Sequence, residues 1–262
     1  MMIRVAKNED KIPVLKFCKN TFSWGDYIEY VWDFWLSEEN LIVFEKELPV
    51  GICHSFYSKD QVWIEGIRVN PNFRRQNIAS KLVMNAELIG LKKNASFSYM
   101  LIDTQNFSSL EMAQSLDYEI FQTWNYYSLS PKKNLNHKIH YVKSINPKFC
   151  THYVKSWRWL PLDDFTLSQF YENKKIIKSS GFDTDSIAIL TDSEHFDKTL
   201  IVTLFPGSEN SVLDVVSFLQ HHAIEKNYER IQILTKNILP KFDSLEHKIS
   251  FYLMEKSLIN LI

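Results

Sequence analysis

The sequence predicts an α/β protein in which a mixed sheet packs against helices, followed by a second α/β domain of the same pattern. Strand-like runs dominate residues 1–130, which hold one strand–loop–helix–strand crossover rather than the regular alternation of a doubly wound sheet. The second half repeats the order of elements around that crossover. With 262 residues, the chain is long enough for two ordinary domains.

The elements before residue 70 are indicated by their periodicity and by turn residues. Strands are predicted at residues 3–7, 41–46, 50–58 and 61–69, and helices at residues 11–23 and 24–36. The helix at 11–23 places Val14 and Cys18 on one face, and the second helix is dense in aromatic residues. Pro71 ends the fourth strand, because proline cannot donate to the ladder.

The crossover follows, and then a polar segment. A helix is predicted at 79–91, a strand at 97–104, a short helix at 109–116 and a strand at 118–129. Residues 130–138 read SPKKNLNHK, a composition typical of linkers. We therefore expect domains at 1–130 and 141–262, joined by a linker at 131–140.

The second half parallels the first in two segments. Residues 78–106 match 211–237, each an amphipathic helix, a polar turn, a strand and a Thr-x-Asn sequence. Residues 115–129 match 244–258 in length and pattern. Two unrelated α/β units can resemble each other by chance, but the shared order and spacing favour duplication.

Composition limits the classes of partner and the compartment. The net charge is −1, with 30 basic and 31 acidic residues, which gives no general attraction to nucleic acid or to an anionic membrane. The three cysteines form no CxxC pair, so we expect reduced thiols, no metal site and a cytoplasmic protein. The N-terminus has no apolar segment typical of a signal peptide. We expect a monomer or a homodimer.

The loop RRQNIAS, residues 74–80, is a candidate anion site. It leads from a strand into the N-terminus of a helix, where backbone N–H groups and the helix dipole favour a phosphate. Arg74 and Arg75 would add charged donors, although a solvated arginine pair is the simpler interpretation. The matching loop of the second half, LFPGSENSV at 204–212, has no arginine, so a phosphate site would belong to the first half alone.

The stretch VNPNFRRQNIASKLV resembles the central motif of the GCN5-related N-acetyltransferase (GNAT) family, a strand followed by Arg/Gln-x-x-Gly-x-Gly/Ala at the start of a helix. Arg74 takes the first place, Asn77 the glycine place and Ala79 the last. The resemblance covers residues 3–129. It implies a GNAT fold, which is a mixed, mostly antiparallel, splayed sheet flanked by helices, with the second half as a degenerate GNAT-like α/β domain.

The resemblance also implies contacts with acetyl-CoA. The loop N–H groups would bind the pyrophosphate, and the pantetheine would run between splayed strands. The implied contact residues are Ile67, Val69, Arg74, Arg75, Gln76, Asn77, Ile78, Ala79, Ser80 and Asn106. Since asparagine tolerates the left-handed region better than other non-glycine residues, we expect Asn77 at positive φ with its N–H facing a phosphate.

The reacting groups are less clear from the sequence. Glu65 lies four residues before Val69 and is the candidate general base, with an exposed carboxylate or a salt bridge to Arg68 or Lys59 as the alternative. The family's usual tyrosine, which protonates the leaving thiolate, is replaced by Ala113. Either water or Tyr118 takes this role, or catalysis is weak.

The acceptor side of the predicted site would be formed by Trp24, Tyr27, Glu29 and Glu65, although core packing is the alternative for the aromatic residues. The resemblance implies direct transfer of acetyl from acetyl-CoA to a primary amine of a small molecule or amino acid. Two alternatives stay open. One is a non-catalytic acyl-CoA-binding or regulatory module, and the other is a protein N-terminal or lysine acetyltransferase.

Overall fold

The computed structural model describes residues 2–19, 21, 25–145, 151–180, 184–242 and 244–259. The chain divides into two compact units, Met1–Phe121 with Tyr252–Ile262, and Gln122–Phe251. The predicted division into 1–130 and 141–262 would place the whole last strand in the second domain. In the structure, residues 252–262 belong to the first unit, because the end of the last strand lies beside the strand of residues 97–103.

The strands of the first unit are β1 (Met2–Val5), β2 (Leu41–Glu45), β3 (Pro49–Ser58), β4 (Gln61–Val69), β5 (Phe97–Asp103) and residues 252–257 of β14 (Leu245–Ser257). They form a mixed sheet in the order β1-β2-β3-β4-β5, with the end of β14 beside β5. The helices of this unit are α1 (Lys11–Cys18), α2 (Ile28–Ser37), α3 (Ile78–Lys92) and α4 (Phe107–Gln114). Strands β1 to β4 pair antiparallel, and β4 pairs parallel with β5.

Hydrophobic cores lie on both faces of this sheet. Helices α3 and α4 cover one face, where Leu82 and Ala86 of α3 pack with Ile64 of β4. Helices α1 and α2 supply the other core, in which Trp32 and Trp35 are almost fully buried. Because successive side chains of a strand point to opposite faces, Ile64 belongs to the α3 side and its neighbour Glu65 to the α2 side.

The observed elements of the first unit follow the predicted ones closely, except near the first two helices. The predicted helix at 11–23 ends at Cys18, and the one predicted at 24–36 begins at Ile28. Gly25 has a φ of 107°, and the side chain of Asp26 accepts the N–H of Ile28, so a turn precedes α2.

The strands of the second unit are β6 (Glu119–Leu129, from residue 122), β7 (Ile139–Tyr141), β8 (His152–Lys155), β9 (Arg158–Pro161), β10 (Ile176–Ser179), β11 (Ile187–Asp192), β12 (Thr199–Phe205), β13 (Arg230–Thr235) and residues 245–251 of β14. They form a sheet in the order β6-β13-β12-β11-β10-β7 and a separate two-stranded ribbon, β8-β9. The helices of this unit are α5 (Asp164–Glu172) and α6 (Glu209–Glu225).

The two units share a parallel strand–helix–strand arrangement. In the first unit α3 connects β4 to its parallel neighbour β5, and in the second α6 connects β12 to its parallel neighbour β13. These are the segments that the sequence comparison of 78–106 with 211–237 predicts to correspond. Duplication as the origin of this likeness stays a prediction. Among the described residues, no helix is both long and apolar enough to cross a membrane.

Candidate active site

Strand β4 carries a β-bulge at its centre. Ile52 pairs with Arg68 and His54 with Glu65, so two residues of β4 stand opposite Cys53 alone. One of the two is Gly66, with a φ of 65°. A Cβ at Gly66 would lie 2.4 Å from the Trp35 ring, so both the backbone conformation and the packing require glycine at this position.

The pairing of β4 with β5 ends just before the bulge. Strands β4 and β5 pair from Gln61 with Phe97 to Ile64 with Met100, and no further pair joins them among the described residues. The half-buried side chains of Ile67 and Val69 lie on the opened part of β4 and pack against the α3-side core. The two strands are therefore unpaired beyond Ile64, as expected from the splayed sheet that the resemblance to the GNAT family implies.

The loop before α3 has an unusual backbone. Asn77 is the N-cap residue, with φ 58° and ψ 23°, and Arg75 also has a positive φ, of 59°. The predicted positive φ of Asn77 is therefore confirmed. No side chain caps the helix, and within the described part of the chain no acceptor takes the N–H groups of residues 77–79. These are N–H groups that a helix itself leaves without partners, so they are available to an anion.

The charges around this loop are positive. Arg74 and Arg75 are exposed, and the Nε of Arg74 donates to the carbonyl of Val69 at 3.3 Å. The Nζ of Lys46 donates to Gln76 Oε1 at 2.9 Å. No acidic residue occupies the first turn of α3. Sequence reasoning missed Lys46, because the β2–β3 turn brings it to the loop from a segment with no motif of its own.

The corresponding loop of the second unit is closed by its own chain. The N–H of Gly207 donates to Ser186 Oγ at 2.9 Å, and the N–H of Ser208 donates to the Thr184 carbonyl at 3.0 Å. The Ser208 side chain caps α6, and Glu209 puts a carboxylate in the first turn. Strands β12 and β13 stay paired from Thr199 with Arg230 to Thr203 with Leu234. Within the described residues, the second unit therefore has a side-chain cap and a carboxylate at the N-terminus of α6, and its two parallel strands pair over most of their length.

Glu65 lies in a polar cluster on the α2 side of β4. Its Oε1 is 2.9 Å from His54 Nδ1, and its Oε2 accepts the Trp63 Nε1–H at 3.2 Å. The Glu65 side chain is 11% exposed and lies at the part of β4 where the sheet opens. Arg68, one of the partners that the sequence suggested for Glu65, forms two hydrogen bonds to Asp26.

The predicted acceptor-side residues are placed differently from one another. Trp24 lies outside the described residues. Tyr27 is half-buried, with its ring 5.2 Å from the Arg68 guanidinium and edge-on to Trp35. Burial raises the pKa of Tyr27; Glu65 and Asp26 add to this, while Arg68 opposes it. Glu29 is exposed on the first turn of α2.

The structure does not bring Tyr118 to Glu65. The Tyr118 hydroxyl is buried and hydrogen-bonded to Ser98, near the start of β5 where that strand still pairs with β4. Burial, reinforced by Glu87, raises its pKa well above the ordinary value, so the phenol is a weak acid. Ala113 is fully buried in the same core.

Asn106 is exposed at the N-terminus of α4, where its side chain accepts the N–H of Ser109 and caps the helix. The described residues contain no cluster of three or more histidine, cysteine, aspartate or glutamate side chains that would hold a metal ion.

The comparisons with known proteins agree with this geometry. The sequence model of the acetyltransferase (GNAT) family matches residues 11–118. The fold is similar to a GCN5-related N-acetyltransferase from Sphaerobacter thermophilus, at 10% identity and a TM-score of 0.64, over 98% of this chain and 95% of the other. It is also similar to a candidate acetyltransferase from Thermoplasma acidophilum, at 14% identity and a TM-score of 0.62, over 98% of this chain and 100% of the other. No curated protein matches the sequence closely enough to count as a relative.

Proposed function

We propose that residues 11–118, which match the sequence model of the acetyltransferase (GNAT) family, form an acetyltransferase domain. The first unit would then transfer acetyl directly from acetyl-CoA to a primary amine of a small molecule or amino acid. The observation that supports this most strongly is the open, positively charged N-terminus of α3 beside a splayed β4–β5 pair. The second unit lacks this combination in its described residues, so we assign the reaction to the first unit alone.

The residues around the gap fit acetyl-CoA, which supplies the acetyl group as an activated thioester. The N–H groups of residues 77–79 and the guanidinium groups of Arg74 and Arg75 would hold the pyrophosphate. Ile67 and Val69 would contact the pantetheine arm along the open part of β4. Asn106 would contact acetyl-CoA from the N-terminus of α4, where its hydrogen bond to the N–H of Ser109 already fixes its side chain.

The bulge provides for the developing negative charge on the carbonyl oxygen. A bulge leaves the extra residue out of the ladder, so backbone N–H groups near Gly66 and Ile67 would be available to that oxygen at the start of the gap. Fixed N–H donors in a desolvated cleft stabilise such charge without reorganisation.

Glu65 is the proposed general base. An amine is largely protonated at neutral pH and must lose a proton before it can attack, and the Glu65 carboxylate lies where the sheet opens. Protonation of the leaving thiolate is assigned to water, because the Tyr118 hydroxyl is buried near the paired end of β5.

The described cysteines support direct transfer over a covalent acetyl-cysteine intermediate. Cys53 is fully buried next to the bulge, and burial, with a smaller effect of Glu65, raises the pKa of its thiol. Burial raises the pKa of Cys18 to about 12. Since the thiolate is the nucleophile, neither thiol is suited to accept an acyl group at neutral pH.

One observation favours a second candidate function. Ala113 occupies the place where the family commonly has a proton-donating tyrosine, and it is fully buried. A first unit that binds acetyl-CoA without turnover would be a regulatory module.

Thiol release from acetyl-CoA against a panel of amino acids, polyamines and peptides separates the two, beside calorimetric binding of acetyl-CoA. Acetyl transfer should occur with a small amine, and Glu65→Gln should lower kcat by about 100-fold while leaving acetyl-CoA affinity unchanged. Glu119→Gln, at an exposed carboxylate of β6, is the matched control and should keep most of the activity. Binding without turnover on any amine would establish the regulatory module instead, and transfer to peptides alone would replace the small-molecule acceptor.

A further inference from the structure

The carboxylate of Glu65 is held by a ring N–H on each of its two oxygens. Trp63 lies two residues earlier on β4, on the same face of the sheet, and donates its Nε1–H to Oε2 at 3.2 Å. His54 lies opposite Glu65 on β3, with its Nδ1 2.9 Å from Oε1. An indole nitrogen can only donate and an ionised carboxylate can only accept, so Glu65 is the acceptor in both bonds.

The bond between His54 and Glu65 requires a proton on Nδ1. The other ring nitrogen, Nε2, lies 3.1 Å from Glu38 Oε2 but lacks hydrogen-bond geometry, so the bond to Glu65 is the directed contact of this histidine with a carboxylate. The Nδ1–H is present in one neutral tautomer and in the imidazolium. The bond therefore does not depend on whether His54 is charged.

Packing fixes both donor rings. The His54 side chain has no exposed surface, and Trp63 is 1% exposed. The Trp35 ring stacks on the imidazole, with centroids 4.7 Å apart and planes 5° from parallel. A Cβ at Gly66 would overlap Trp35, so the glycine of the bulge makes room for this stack. Neither donor can turn away from Glu65 without displacing close-packed side chains.

We propose that His54 and Trp63 are positioning residues that fix the Glu65 carboxylate in the orientation in which it takes the proton of the acceptor amine. This rests on the proposed function, in which Glu65 is the base. The terminal torsion of a glutamate side chain is broad, so an unheld carboxylate turns easily. One rigid donor on each oxygen removes that freedom, and the charge-assisted bonds favour the ionised form that a base needs.

The two bonds are compatible with proton transfer to Glu65. They use one lone pair of each oxygen, and a carboxylate has about four lone-pair sites, so these bonds alone do not prevent it from accepting a proton. The Glu65 side chain is 11% exposed, which gives the amine or a bridging water access to it. His54 and Trp63 keep their own protons throughout, and the proton that moves is that of the amine.

Two substitutions at His54 separate its donor from its ring. His54→Asn places an amide N–H where Nδ1 lies but removes the ring that stacks on Trp35, whereas His54→Phe keeps a stacking ring and removes the donor. His54→Phe should lower kcat roughly tenfold, a usual cost of losing a hydrogen bond to a charged group, and His54→Asn should keep most of the wild-type kcat. KM for acetyl-CoA should be unchanged in both, because Glu65 acts on the amine. The opposite order of activities, or equal losses in the two variants, would overturn the proposal.

Trp63→Phe is a second variant, which keeps an aromatic ring and removes the donor to Oε2. It should likewise lower kcat roughly tenfold and leave KM for acetyl-CoA unchanged. The matched control is Trp32→Phe, because Trp32 is a fully buried tryptophan of α2 whose Nε1 has no hydrogen-bond partner among the described residues. The control should keep the wild-type kcat. A wild-type kcat in Trp63→Phe, or an equal loss in the control, would overturn the proposal.

Nuclear magnetic resonance supplies a readout that does not depend on activity. The indole N–H signal of Trp63 is identified as the one that Trp63→Phe lacks. A hydrogen bond to a carboxylate deshields the shared proton, so Glu65→Ala should move the Trp63 Nε1–H and His54 Nδ1–H signals upfield. Unmoved signals in a protein that transfers acetyl would overturn the positioning role alone. Moved signals in a protein that transfers acetyl to no amine would overturn the proposed function instead.

Discussion

At the scale of single residues, Asn77 shows how the loop before α3 works without the glycine usual at this place. Its φ of 58° lies in the left-handed region, which costs most L-residues about 1–2 kcal/mol and asparagine less. This conformation turns the chain into α3 while leaving the first N–H groups of the helix open.

Replacing Asn77 with alanine should therefore destabilise the protein by about 1 kcal/mol and weaken acetyl-CoA binding, because alanine tolerates this conformation less well. Urea unfolding and calorimetry measure the two effects. Asn77→Gly is the matched control and should bind acetyl-CoA as the wild type does. Equal binding by both variants would show that the backbone conformation at 77 is not important for the site.

Single residues were predictable where the chemistry is contiguous in the sequence. Asn77 was placed at positive φ because its motif, strand and helix are all local, and the structure confirms it. His54, Glu38 and Lys46 were missed, since strand pairing and turns bring them to the site from separate segments. A lone histidine in an alternating strand gives no signal until its partners across the sheet are known.

At the scale of elements, the start of the chain is fixed by a charge cluster. Arg4 of β1 pairs with Asp10, which precedes α1, and with Glu45 of β2. Burial tends to raise the pKa of Asp10, but the hydrogen bonds from Arg4 and from the Lys7 N–H outweigh it, so the net shift is downward.

A lowered pKa in the folded state means that the unfolded chain binds the proton more readily. The stabilisation by Asp10 should be fully present above its ordinary value of 3.8 and be lost as the pH falls through the lower folded value. Urea unfolding across the acid range should show a smaller dependence on pH for Asp10→Asn than for the wild type. Parallel curves for the two proteins would exclude this role of Asp10.

The last strand is joined to α3 by a buried ion pair. Lys256 of β14 lies 2.9 Å from Glu87, and their side chains retain 8% and 3% of their exposure. Removing one partner of such a pair leaves the other charge buried and uncompensated, which typically costs about 3–5 kcal/mol.

Lys256→Met should lower the free energy of unfolding by an amount in that range, measured by urea denaturation. The double variant Lys256→Met/Glu87→Met is the control and should recover most of the loss, because an apolar pair replaces an isolated charge. A double variant as unstable as the single one would show that Glu87 is not the source of the loss.

Elements were predictable where periodicity was strong. Strand β4 was predicted at its observed bounds, and α3 within one residue at each end, because alternation and helical spacing are both clear there. The turn before α2 was missed, since its aromatic residues read equally well as helix. The bulge in β4 could not be read from the sequence, because it is defined by pairing with β3.

At the scale of the whole molecule, the two units share a parallel strand–helix–strand arrangement. They differ in how the N-terminus of its helix is capped and in how far its two strands pair. The sequence predicted two α/β domains, and the missing arginines predicted a phosphate site in the first half only. The final strands were harder to assign, because β14 lies beside β5 in the first unit while β6 pairs with β13 in the second. Such pairings join segments far apart in the chain, and no local signal encodes them.

Calorimetric titration with acetyl-CoA tests the central claim most directly, namely that the open N-terminus of α3 binds the cofactor and that the second unit does not. We expect one equivalent to bind per chain. Ser80→Asp should weaken this binding at least tenfold by placing a carboxylate in the first turn of α3, where it also favours the helix dipole and so preserves the fold. Asn85→Asp, further along the same helix, should bind normally. Two equivalents, no binding at millimolar acetyl-CoA, or an affinity unchanged by Ser80→Asp would contradict the account.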